Sequence, residues 1–110
     1  MDIATARGIA LNDLHGEEYD HFGKAAYRIP AKKPGGKPGR TFMTLWIEEG
    51  FAVLMLDNDR QTQAIDLDPA AFEPYPGKWG EKGATIARLE KLGKATFRKA
   101  LGMAHQHAMR

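Results

Sequence analysis

The stretch Arg40-Thr41-Phe42-Met43-Thr44-Leu45-Trp46-Ile47-Glu48-Glu49-Gly50-Phe51-Ala52-Val53-Leu54-Met55-Leu56 decides the fold. Two runs rich in β-formers, Arg40 to Ile47 and Phe51 to Leu56, flank Glu48-Glu49-Gly50, a three-residue loop with glycine where a positive φ is wanted. That arrangement predicts an antiparallel hairpin. Both strands are apolar on both faces. Either the sheet is covered on each side, or one face is meant to meet something.

Upstream, Ala25-Ala26-Tyr27-Arg28-Ile29 alternates and reads as a further strand, stopped at Pro30, which cannot donate to a ladder. Between the two lies Pro30-Ala31-Lys32-Lys33-Pro34-Gly35-Gly36-Lys37-Pro38-Gly39, whose prolines, glycines and lysines leave nothing to pack. It reads as the flexible basic tip of a long hairpin. Near the start, Asp2 can cap a helix that carries Ile3, Ala6, Ile9 and Ala10 at helical spacing and fades near Asn12, before Gly16 and the acidic stretch Glu17, Glu18 and Asp20.

Downstream of the hairpin, Asp57 or Asn58 can cap a short helix over 59–67, although Thr62 to Leu67 fits a strand equally well. Prolines 69, 74 and 76 and glycines 77, 80 and 83 then impose an irregular path. Gly83 to Leu89 alternates as a strand, with Thr85, Ala87 and Leu89 on one face and Ala84, Ile86 and Arg88 on the other. A last helix runs from about Gly93 to Met109, with Phe97, Ala100, Leu101, Ala104 and Ala108 as its apolar stripe and Lys91, Lys94 and Arg98 opposite. The expected architecture is α+β, in the order α-β-β-β-(short α)-β-α. A single-layer antiparallel sheet carries the N- and C-terminal helices on one face.

The chain has 110 residues, 43% of them hydrophobic and 27% charged, which suits one globular domain spanning 1–110. It contains neither cysteine nor serine, which excludes thiol and serine nucleophiles, disulfides and cysteine-built zinc sites. Glycines at 35, 36 and 39 form no phosphate-cradling loop, because no Lys-Ser/Thr pair and no helix signal follows. The expectation is therefore no enzyme and no cofactor. His105 and His107 point to different helix faces, and Asp57, Asp59, Asp66 and Asp68 follow no EF-hand order, so no metal site is expected either. No apolar run reaches a membrane span, and Met1-Asp2-Ile3-Ala4 lacks the basic start of a signal peptide, so a soluble cytoplasmic protein is expected.

The net charge of +2 conceals blocks of one sign. Residues 1–23 hold one base and five acids, 24–40 six bases and no acid, 41–77 one base and seven acids, and 78–110 eight bases and two acids. Basic blocks of this kind can attract a polyanion.

Asp68-Pro69-Ala70-Ala71-Phe72-Glu73-Pro74-Tyr75-Pro76-Gly77-Lys78-Trp79-Gly80-Glu81-Lys82-Gly83-Ala84-Thr85 resembles the MmcQ/YjbR family of small bacterial proteins. His21-Phe22-Gly23-Lys24, Thr41-Phe42-Met43-Thr44-Leu45-Trp46 and Ile86-Ala87-Arg88-Leu89 support the resemblance, which runs in the family's order over nearly the whole chain. It implies a frataxin-like α+β fold with a curved antiparallel sheet, a double-wing architecture and DNA binding, and it brings no catalytic residues. Many relatives have a short turn where residues 30–39 stand here, and an aromatic where this chain has Ala84.

Residues and resemblance together point to phosphate contacts from Lys32, Lys33, Lys37 and Arg40 in the basic loop and from Lys78, Lys82 and Arg88 near the last strand. Lys24 and Arg28 join them if they share the exposed face. Phe42, Trp46 and Trp79 offer surfaces for stacking on unpaired bases, or else belong to the core. The expected partner is DNA, bound by a monomer or weak homodimer. That reading requires the cations to converge on one continuous positive surface. The alternative is a protein-interaction or structural module that uses the apolar sheet face around Trp46 and Phe51.

Overall fold

The computed structural model describes all 110 residues. Helix α1 spans Ile3–Gly8 and continues in wider π-type turns over Ile9–Asp13. Strands β1 (Glu17–His21), β2 (Lys24–Arg28), β3 (Thr41–Trp46) and β4 (Phe51–Leu54) follow as a meander. Helix α2 (Asn58–Leu67), strand β5 (Phe72–Pro74), helix α3 (Lys78–Glu81), strand β6 (Thr85–Arg88) and helix α4 (Lys94–Ala108) complete the chain. The fold is α+β, built on a six-stranded antiparallel sheet in the order β1-β2-β3-β4-β6-β5.

Residue alternation assigns the two faces. Tyr27, Leu45, Ala52, Leu54 and Ala87 point to one side, where they join Ala6, Ile9 and Ala10 of α1, Ala64 of α2 and Phe97, Ala100, Leu101 and Ala104 of α4 in a single core. Fully burying a side chain the size of Phe97 or Leu101 contributes about 1.5–3 kcal/mol, so this layer supplies most of the cohesion. The pairing steps from Tyr27–Met43 to Arg28–Thr41, so Phe42 is an extra, bulged residue in β3 opposite β2. The bulge places the neighbours Phe42 and Met43 both in that core, against strict alternation. Phe42 is thus a core residue and offers no stacking surface; its ring packs edge-on against His105 of α4.

The sequence expectation of four strands is corrected to six. Strand β1 is written in charged residues, Glu17-Glu18-Tyr19-Asp20-His21, which carry no apolar alternation. It forms as an edge strand, where charge is an asset. Glu17 pairs with Arg28 on one face, and on the other Glu18 accepts from Arg7 and from the Tyr27 hydroxyl. Strand β5 is the opposite edge, and Pro74 fits there because an edge residue can lack a donor. Residues 58–67 are helical, capped by Asp57, whose carboxylate accepts from the Arg60 amide at 2.8 Å.

The turn into β6 explains two glycines of the 68–85 block. A Cβ on Gly80 would overlap the Tyr75 carbonyl, and Gly83 combines φ +119° with backbone contact to Leu56. Gln61 of α2 fastens the same turn: its buried amide donates to the carbonyls of Gly80 (2.9 Å) and Ala84 (3.1 Å).

Candidate nucleic-acid interface

All helices that pack on the sheet lie on its core side, which leaves the other face without a covering layer. From β3 and β4 this face presents Trp46, Phe51 and Val53, and from β6 it presents Ile86 and Arg88. Phe51, Trp46, Tyr75 and Trp79 form a continuous aromatic run, with successive ring centroids 5.4, 5.6 and 4.7 Å apart. The Trp46 indole donates to the Thr44 hydroxyl at 3.0 Å, which lays the ring along its own strand and over the sheet. The run closes over Val53 and Ile86, so those two are buried although no second layer covers them. Trp46 is only partly exposed, and Trp79 keeps 38% of its surface in solvent.

Three of the expected phosphate ligands lie on this face, and two of them are already engaged. Arg28 pairs with Glu17 at 2.6 Å and lies 4.3 Å above the Tyr19 ring. Arg88 pairs with Glu73 of the neighbouring edge strand. Lys24 sits over the Trp46 ring at 4.2 Å and has no carboxylate partner. Lys78 and Lys82 flank Trp79 at α3, both free of ion pairs.

The basic loop behaves differently. Its two ends are zipped together, Ile29 N–H to the Arg40 carbonyl at 3.0 Å and Gly39 N–H to the Ile29 carbonyl at 2.7 Å. It folds against the C-terminal end of α4 and encloses a cleft of about 420 Å³. Ile29, Pro30, Ala108 and Met109 supply apolar walls, and Lys32, Lys33, Lys37, Arg40 and Arg110 supply five cations, with no acid among the lining residues. None of the five makes an ion pair. A helix C-terminus is complemented by one or two positive charges in its last turn, and five exceed that need. Arg110 was absent from the sequence-derived set, because nothing in the sequence says which loop meets the end of α4.

The ten expected contact residues therefore do not build one continuous ridge. Lys32, Lys33, Lys37 and Arg40 converge; Lys78, Trp79 and Lys82 form a second group; Lys24, Arg28 and Arg88 are spread over the open face. The strand registers put the ends of β2 and β5 and the starts of β3 and β6 at the same end of the sheet, so the loop and α3 both project from that end. Three strand spacings, about 14 Å, separate them along the sheet.

No three His, Asp or Glu side chains converge in a geometry that could hold a metal ion. No helix is long and apolar enough to cross a membrane. No protein-family model, curated protein or solved structure matches the chain.

Proposed function

We propose that this chain is a non-catalytic nucleic-acid-binding protein of the MmcQ/YjbR type that acts in the cytoplasm and holds phosphates through the 30–40 loop. Because the ten expected residues form no single ridge, the reading narrows to one observation, the cleft where four loop cations and Arg110 gather with no acidic side chain in its lining. No acidic side chain in the lining neutralises these lysines and arginines, and phosphate groups can serve as their counter-ions. Lys78 and Lys82 extend the footprint at the same end of the sheet, about 14 Å away, a distance comparable to the ~12 Å width of a DNA major groove. Trp79 stands between them with part of its ring free for stacking. Contacts of this kind position a polynucleotide without reading its sequence.

Fluorescence anisotropy with labelled duplex and single-stranded DNA at two salt concentrations tests the reading. Affinity should fall by about 0.9 log unit per log unit of salt for each duplex phosphate neutralised. Replacing Lys32, Lys33 and Lys37 with alanine should lower that slope by about 2.7. Absence of binding at low salt removes the proposal. The uncovered aromatic face supports the second reading, a protein-interaction module, and a stable dimer that binds no DNA would favour it.

A further inference from the structure

Phe22 is a residue that the fold does not need in the form it has. It occupies the turn between β1 and β2 with φ +52°, followed by Gly23 at +85°. Two consecutive positive φ values make the type I′ pattern, which favours Asn-Gly and disfavours a bulky side chain at its first position. The Phe22 ring is 92% exposed, with the exposed His21 ring edge-on at 4.8 Å, so little burial offsets the conformational cost. Ile47, 61% exposed, stands at the neighbouring β3–β4 turn and lines the same shallow surface as Gly23. Asp20, Glu48 and Glu49 surround this apolar tip, and the one cation nearby, Lys24, is turned onto Trp46.

The opposite end of β2 leads into the 420 Å³ cleft, apolar in its walls and cationic in its lining. Its Met109 wall is itself 59% exposed. One end of the molecule thus carries an apolar knob ringed by acids, and the other an apolar socket ringed by bases. The charges around the knob repel nucleic acid and anionic lipid, and they match the socket. We propose that Phe22, with Ile47 beside it, docks into this cleft on a second copy of the same chain. Knob and socket lie at opposite ends of one strand, so a copy cannot fill its own socket. The contact is heterologous and head-to-tail, closing into a ring or extending as a short filament. The cleft is shared with the nucleic-acid reading, but the inference does not rest on that reading and is tested without nucleic acid.

Sedimentation velocity at low salt, from micromolar to millimolar protein, should show mass rising with concentration, and added salt should reverse it. Phe22→Asn should weaken association at least tenfold while raising the melting temperature, since Asn-Gly suits the turn. Lys32→Glu/Lys37→Glu, on an exposed loop, should abolish association from the other side. A mixture of the two variants should give one-to-one dimers and nothing larger, because one retains the socket and the other the knob. A monomer at every concentration, unchanged association of either variant, or no dimer in the mixture would overturn the proposal.

Discussion

The Tyr27 hydroxyl, buried under α1, donates a 2.6 Å hydrogen bond to the Glu18 carboxylate on the adjacent edge strand. Arg7 of α1 reaches the same carboxylate at 2.7 Å, so one acid ties the first helix to β1 and β2. Burial and the Glu18 charge push the Tyr27 phenol well above the ordinary tyrosine range. Hydrogen bonds from Arg7 and then from Tyr27 hold Glu18 below the ordinary glutamate range. A carboxylate with a lowered folded pKa contributes its full stability above its unfolded pKa, about 4.3 for glutamate, and loses it as pH falls through the folded value. Asp57, lowered chiefly by the Arg60 amide, acts in the same direction. Urea unfolding followed from pH 7 to pH 2 should show stability falling below about pH 4.3, and Glu18→Gln should flatten that acid limb. Tyr27→Phe should cost about 1–2 kcal/mol at pH 7, because the carboxylate keeps Arg7.

Gln61 makes a second prediction. Its amide spans from α2 to two carbonyls of the turn that carries α3. Each carbonyl has another donor, Gly83 N–H for Gly80 and Tyr75 N–H for Ala84, so Gln61→Leu leaves neither bare. The substitution should cost about 1–2 kcal/mol despite its added apolar surface. Hydrogen exchange at residues 78–85 should quicken more than in α4.

How far the chain's own order announced this structure depends on where the deciding force sits. The 40–56 hairpin, the stripe of α4 and the two faces of β6 were legible because each follows from periodic burial within one segment. Strand β1 was not legible, since it is held by partners eleven residues away in either direction: Arg7 for Glu18, and Arg28 for Glu17. The candidate site divides in the same way. The loop cations could be read as a group because they are adjacent in sequence. That Glu17 and Glu73 would occupy Arg28 and Arg88 depends on strand registers, which no local pattern fixes.

Three glycine substitutions separate geometry from composition. Gly80→Ala places a methyl group on the Tyr75 carbonyl, and Gly83→Ala adds an unfavourable φ to contact with Leu56. Both should lose more than about 3 kcal/mol in chemical denaturation, with α3 and its tryptophan released first. Gly102 lies inside α4, and a Cβ there meets nothing within 4 Å. Gly102→Ala should gain about 0.5–1 kcal/mol, seen as a higher denaturation midpoint at unchanged m-value.

The paired arginines give the sharpest test of where nucleic acid binds. Arg28 and Arg88 each hold a cross-strand carboxylate, and reaching a phosphate would mean releasing it and leaving Glu17 or Glu73 facing the polyanion. The loop lysines face no such competition, since no acid lines their cleft. Arg28→Ala and Arg88→Ala should therefore leave the salt slope of DNA binding unchanged, whereas each loop lysine replaced removes about 0.9. A fall of that size in either arginine variant, measured by the same anisotropy titration, would move the contact surface from the cleft to the open face of the sheet. An unchanged slope in the loop variants would remove the cleft from the contact surface.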